Sequence, residues 1–157
     1  MKKLKVYVET TIFNRYFEPE RDNHKETKFF FEEIEAGKFE AYTSAYVLQE
    51  LAKASESKRS DMLAMIGRYN ISLIGESFEA EALADEYMAH KILSEKHFYD
   101  RAHIACASVS GMDMIISLNY AHINRITTKI KTGLINKLYG YGEIYIGSPM
   151  EVIDHDE

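Results

Sequence analysis

Four polar residues stand where regular structure could gather them: Glu9 directly after Leu-Lys-Val-Tyr-Val, Glu50 inside a helical stretch, Asp100 at the start of another, and Asn119 behind Met-Ile-Ile-Ser-Leu. Three carboxylates and an amide offer oxygen ligands only, the donor set that suits Mg²⁺ or Mn²⁺ rather than a softer ion. Carboxylates packed together without a cation raise at least one of their pKa values, so a pocket holding all of them calls for a counter-charge. Each residue also has a plainer reading. Asp100 could be an N-terminal charge or cap that the helix dipole favours, and Glu50 a solvated helix glutamate.

The elements that must position these residues alternate along the chain. Leu4 to Val8 reads as a first strand with Glu9 at its carboxyl end, and Thr10 and Thr11 can cap the short helix Ile12 to Phe17 or hold a carboxylate. Asp22 or Asn23 caps a helix carrying Phe29, Phe30 and Ile34, which Gly37 stops before a strand from Phe39 to Thr43. Ser44 N-caps Ala45 to Ala54 and brings Glu50 about one and a half turns in. Lys53 to Arg59 reads as loop, Asp61 to Tyr69 as a short helix, Ile71 to Ile74 as a third strand, and Ser77 opens a long helix reaching Ile92.

Ala102 to Val109 is a nearly all-apolar helix of small residues that must lie against a sheet, with Asp100 in its first turn and Gly111 ending it. Met114 to Leu118 has the continuous apolar character of a parallel strand buried on both faces, and ligands of open parallel sheets collect at the carboxyl ends of such strands. Tyr120 to Leu138 follows as a helix with Ile123, Ile126, Ile130, Leu134, Ile135 and Leu138 at core spacing. Glu143 to Ile146 is a last strand, and Ser148-Pro149 opens a closing helix. The alternation implies a three-layer α/β/α fold, residues 1–157 as one domain around a mainly parallel sheet of about five strands.

Composition narrows the function classes. A net charge of -6 argues against coating nucleic acid by bulk electrostatics, although a local basic stripe could still bind it. No apolar run is long enough to span a bilayer, and Met-Lys-Lys-Leu-Lys passes straight into a strand pattern, so a cytoplasmic protein with no membrane contact is expected. The lone Cys106 lies on the apolar helix and reads as a small core residue. No phosphate-binding glycine loop, serine-nucleophile elbow or Cys/His metal spacing is present, and His97 and His103 read as polar surface or helix residues rather than zinc ligands.

The chain resembles the PIN-domain nucleases, whose toxin branch forms type II toxin–antitoxin pairs. Val6-Tyr7-Val8-Glu9-Thr10-Thr11 is similar to that family's opening acid and hydroxyl residues, and Ser44-Ala45-Tyr46-Val47-Leu48-Gln49-Glu50 to its second motif. Tyr99-Asp100-Arg101-Ala102-His103-Ile104-Ala105 is similar to the third, Met114 to Ile123 to the fourth, and Ser148-Pro149-Met150-Glu151 closes the chain as in many members. The resemblance implies metal-assisted hydrolysis of RNA, with Glu9, Glu50 and Asp100 holding Mg²⁺ or Mn²⁺ and Asn119 and Thr11 orienting waters or the phosphate. Lys96, Arg101, Arg125 and Lys129 are the candidates for the RNA backbone, on a stripe from Arg125 to Lys137 that could equally be a solvated helix face.

The implied partners are an RNA substrate, a protein antitoxin and a second copy of the chain. Two departures matter: the family's first acid is usually Asp, and its fourth position is often Asp where Asn119 stands. A PIN-like binding module with weak or no catalysis is therefore the alternative. Because Phe29, Phe30 and Phe31 are consecutive on a helix, at least one is expected to be exposed, placing an interface at Phe13 to Phe31.

Overall fold

A computed structural model describes residues 2–154. Its centre is β1 (Leu4–Val8), whose Val6, Tyr7 and Val8 are fully buried because the strand is covered on both faces. The chain leaves β1 through α1 (Thr10–Tyr16) and α2 (His24–Glu35) to β2 (Phe39–Ser44), then through α3 (Ala45–Ala54) and α4 (Glu56–Tyr69) to β3 (Ser72–Ile74). It returns through α5 (Phe78–Ala89) and α6 (Phe98–Val109) to β4 (Met114–Ile116) on the other side of β1. From there α7 (Ile126–Leu138) leads to β5 (Tyr145–Gly147) and α8 (Pro149–Val152).

The sheet order is β3-β2-β1-β4-β5 and every pairing is parallel, with helices on both faces, as the three-layer expectation required. The order reverses between β1 and β4, so a crevice opens beyond their carboxyl ends. Register sets what meets there. Val8 pairs with Ile116, which puts Glu9 and Ser117 at the same level one residue on, and the Glu9 amide donates to the Ile116 carbonyl at 3.1 Å.

Gly37 and Gly111 end α2 and α6 at positive φ, 86° and 73°, where a side chain would be strained. Cys106 is buried and its thiol is pushed up to about 11, the behaviour of a core residue and not of a nucleophile. Among the described residues no helix is long and apolar enough to cross a membrane.

Some expectations fail for identifiable reasons. Lys53 to Arg59 is not a loop: Ser55 accepts from the Lys58 amide at 3.1 Å, and this N-cap starts α4 at Glu56, immediately after α3. The helix opened by Ser77 ends at Ala89, and Ile92 is buried from the loop beyond it. Phe30 and Phe31 are both fully buried, Phe13 nearly so, and Phe29 packs half-buried on the core, so none of the three consecutive phenylalanines is exposed. The helix satisfies them by sinking between neighbours: Phe31 meets Phe13, Tyr16 and Tyr69, while Phe30 meets Phe39, with ring centroids 5.1–5.9 Å apart.

The reverse happens in α7. Residues 120–124 form turns, the helix begins at Ile126 after the extended Arg125, and Ile126, Ile130, Leu134 and Leu138 are 59–71% exposed although their spacing marked them for the core. The buried face is polar instead. Thr128, Thr132, Ile135 and Asn136 point inward, and Asn136 accepts from the Tyr87 hydroxyl at 2.5 Å and donates to Ser108 Oγ at 2.9 Å. Only Ile123 and Ile135 of the expected apolar set are buried.

Candidate metal centre

Glu9 stands at the switch point as the N-cap of α1 and is 1% exposed. Its Oε1 accepts from Thr11 Oγ1 at 2.5 Å, the Thr11 amide at 3.2 Å and Ser117 Oγ at 2.7 Å. Thr11 Oγ1 in turn accepts from the Leu118 amide at 2.8 Å, which ties the end of β4 to the start of α1. Burial pushes the Glu9 carboxyl above its usual range, against the pull of the His103 charge and the two hydroxyl donors, and the Glu50 charge pushes it further.

Ser44 ends β2 and caps α3 by accepting from the Tyr46 amide, so Glu50 is carried toward the same crevice. Glu50 Oε1 accepts from Thr10 Oγ1 at 2.5 Å and from His103 Nε2 at 2.9 Å. His103 is wholly buried, and its Nδ1 lies 2.7 Å from the Tyr7 hydroxyl, itself 2.6 Å from Ser44 Oγ. Burial opposes charge on both partners. On Glu50 the hydrogen bond and charge of His103, with Thr10 and Lys53, win and hold the carboxyl low; on His103 the Glu50 bond and the Glu9, Glu50 and Asp100 charges win and raise the imidazole. The opposite directions describe an ion pair. Among the described residues every hydrogen bond to Glu9 and Glu50 ends on Oε1, so each carboxylate is anchored by one oxygen and offers the other.

Asp100, in the first turn of α6, is held differently. Its Oδ1 accepts from Asn119 Nδ2 at 3.2 Å, and its Oδ2 lies 3.6 Å from His97 Nδ1. Burial raises its pKa, with Glu50 adding and the histidines His103, His122 and His97 opposing. His122 comes from the turn after β4, where the Asn119 carbonyl accepts the His122 and Asn124 amides, and its ring lies 3.9 Å from that of His97. Glu9 and Glu50 thus gather around His103, and Asp100 gathers with His97 and His122; within each trio, one ligand atom per residue falls within 4.8 Å of the others. A donor set of carboxylate oxygens with a buried acid of raised pKa fits a divalent cation.

The positions read from the sequence therefore converge, but in two groups, with Asn119 holding Asp100 and Thr11 holding Glu9. Of the RNA-backbone candidates, Lys96 and Arg125 are exposed and Lys129 is half-buried. Arg101 is a correction. It is 3% exposed and its guanidinium donates to the carbonyls of Ser94 and Glu95 at 2.5 and 3.1 Å, so it ties down the loop before α6 instead of facing solvent. His103 is a helix residue, as read from the sequence, but it lies wholly buried in α6 and is paired with Glu50 and Tyr7. It had a signal: it follows Asp100 by three residues and stands in the nearly all-apolar run Ala102 to Val109, so it had to be buried with a partner. Ser117 had only the strand register to mark it, and His122 had no local signal.

Doubly wound α/β chains with an acid-lined crevice at the switch point form the class this geometry defines. Within it, the chain belongs to the PIN domain family, whose model matches residues 6–127. No curated protein matches the chain by sequence. Among solved structures it is similar to Mycobacterium tuberculosis VapC20, a toxin that cleaves the sarcin-ricin loop, with a TM-score of 0.56 and 17% identity over 88% of this chain and 98% of that one. It is also similar to VapBC2 from Rickettsia felis bound to a DNA fragment from their promoter, with a TM-score of 0.58 and 13% identity over 91% and 97% of the two chains.

Proposed function

We propose that this protein is a Mg²⁺- or Mn²⁺-dependent endoribonuclease, acting in the cytoplasm as the toxin of a type II toxin–antitoxin pair. The observation that carries the reading is the pair of carboxylates, Glu9 and Glu50, each fixed through Oε1 by hydroxyl, amide or imidazole donors at the switch point. Such anchoring removes rotamer freedom before an ion arrives. Glu9, Glu50 and Asp100 would hold the cation, with Asn119 orienting Asp100 and Thr11 orienting Glu9.

A divalent ion there would supply an acidified water and charge neutralisation at the scissile phosphate. Water then adds across one P–O bond of the phosphodiester, leaving a phosphate monoester on one fragment and a hydroxyl on the other. Lys96, Arg125 and Lys129 are the cations proposed to meet the RNA backbone.

The exposed apolar ridge of α7 supports a protein partner, because a stripe of this kind on water-facing surface marks an interface. An antitoxin is the partner proposed, in keeping with the VapBC2 likeness, and a homodimer is expected beside it. The test is cleavage of single-stranded RNA by the purified chain with and without Mn²⁺, next to Asp100→Asn. That variant keeps the shape and should cost at most about 1 kcal/mol of stability by capping magnitudes. We expect cleavage to fall by at least about 100-fold, roughly 2.7 kcal/mol of transition-state stabilisation. Unchanged cleavage sinks the site; ion binding without any cleavage by the unmodified chain makes it a binding module.

A further inference from the structure

The hydrogen bonds that fix Glu9 and Glu50 leave a second cluster unexplained. His97 is the residue before α6, Asp100 lies in its first turn, and His122 sits in the turn after β4. They come from two separate segments, yet the imidazole rings are 3.9 Å apart and His97 Nδ1 is 3.6 Å from Asp100 Oδ2. Both histidines are half-buried, so solvent ions can reach them.

We propose that His97, Asp100 and His122 form a second metal site, with the two-nitrogen, one-oxygen donor set of a borderline transition ion of the Zn²⁺, Co²⁺ or Ni²⁺ class. The argument is geometric and chemical. A tetrahedral ion with ligand bonds of about 2.0–2.2 Å holds its ligand atoms about 3.4 Å from one another, so the His97 and Asp100 atoms already stand near working distance. The ligand atoms of all three residues lie within 4.8 Å of one another, a spread that small side-chain rotations close.

Imidazole nitrogens favour this class of ion over Mg²⁺, which prefers an all-oxygen octahedron. Three protein ligands also leave a fourth position for water, as in open zinc sites. The second trio, Glu9, Glu50 and His103, is a poorer match to such an ion because both nitrogens of its one imidazole are already committed, Nε2 to Glu50 and Nδ1 to the Tyr7 hydroxyl. Asp100 is common to this site and to the nuclease reading above; the proposal otherwise stands without that reading.

The test is a titration of the chelator-stripped chain with Co²⁺, read by its visible ligand-field absorption, and with Zn²⁺ by calorimetry. We expect one Co²⁺ bound with imidazole coordination. His97→Ala or His122→Ala should each weaken it by at least tenfold, and the double variant should abolish it, with the melting curve by circular dichroism retained. Glu9→Gln should leave the Co²⁺ spectrum unchanged, even where it impairs Mg²⁺-dependent cleavage, which separates failure of this site from failure of the nuclease reading.

Unaltered Co²⁺ affinity in the double variant overturns the proposal. Should the alanine variants not fold, imidazole ¹⁵N spectra of the unmodified chain decide. Zn²⁺ must perturb His97 and His122, and perturbation of His103 alone overturns the assignment.

Discussion

The two halves of the cleft are built to opposite standards. Around Glu9, Glu50 and His103 every polar group is anchored, through Thr10, Thr11, Ser117, Tyr7 and Ser44, and the imidazole has no exposure at all. Around Asp100 the restraints are one amide donor at 3.2 Å and a histidine at 3.6 Å. The first half joins the ends of β1, β2 and β4, where Glu9, Ser44 and Ser117 stand, to Glu50 inside α3 and His103 inside α6. The second half hangs on the start of α6 and on a turn. A rigid wall facing an adjustable one lets an incoming ion or phosphate set the final geometry on one side only, so mutations should divide sharply between the two.

The sharpest division is expected in stability. His103→Ala empties a buried position and strips Glu50 and the Tyr7 hydroxyl of a partner, for a loss of roughly 2–3 kcal/mol, at the low side for a broken buried pair because Glu50 keeps some contact with solvent. His97→Ala should cost under about 1 kcal/mol. Urea unfolding of the metal-free variants measures both, and equal losses would erase the distinction.

The pH dependence follows from the directions of the shifts. Glu50 is lowered in the folded chain, so its contribution is present above its unfolded pKa and lost as pH falls through the folded one. His103 is raised, so its contribution is complete below its unfolded pKa and lost as pH rises through the folded one. The gap between His103→Ala and the unmodified chain should therefore be widest in between, from mildly acidic to neutral pH.

Next in size is the effect on catalysis at the rigid wall. Glu9→Gln keeps length and removes charge, and a loss of at least tenfold, about 1.4 kcal/mol, is expected together with a higher Mg²⁺ requirement. Glu9→Asp discriminates more finely. Because Oε1 is pinned by Thr11 and Ser117, a side chain one methylene shorter gives up those bonds to reach the ion, so Asp should recover less activity here than the family's usual preference for Asp would suggest. Full activity of Glu9→Asp would mean that the pinning is not needed. Equal RNA cleavage and Mn²⁺ binding by Glu9→Gln would remove Glu9 from the ligand set.

The rigid wall was also the more legible one. Strand ends, a Ser cap and a Gly stop are local signals, and they sufficed to find β1, β2, β4, Glu9 and Glu50, because a buried parallel strand has to be apolar and its end has to turn polar. What escaped was non-local. His103 gains its meaning from Tyr7 and Glu50, far away along the chain, and His122 gains its own from a turn whose path no periodicity encodes. The same limit applies to α2 and α7. In α2 three adjacent phenylalanines are covered because neighbours close over both flanks, whereas in α7 hydrogen-bonding partners on Tyr87 and Ser108 let polar residues take the inner face.

The smallest expected effect tests that contrast between α2 and α7. Leu134 is 65% exposed on the outer ridge, so Leu134→Ser removes little buried area and should change stability by no more than about 0.5 kcal/mol. Phe30→Ala, at a fully buried position, should cost roughly 3–5 kcal/mol. If the ridge is an interface, Leu134→Ser should instead weaken association, read by light scattering of the chain alone and after co-expression with the proposed antitoxin, while the monomer melts as before. A ridge that tolerates serine in both assays would leave four aligned apolar residues with no role in binding. A Leu134→Ser chain that loses several kcal/mol as a monomer would mean that α7 turns its apolar face inward after all, as the hydrophobic spacing alone implies.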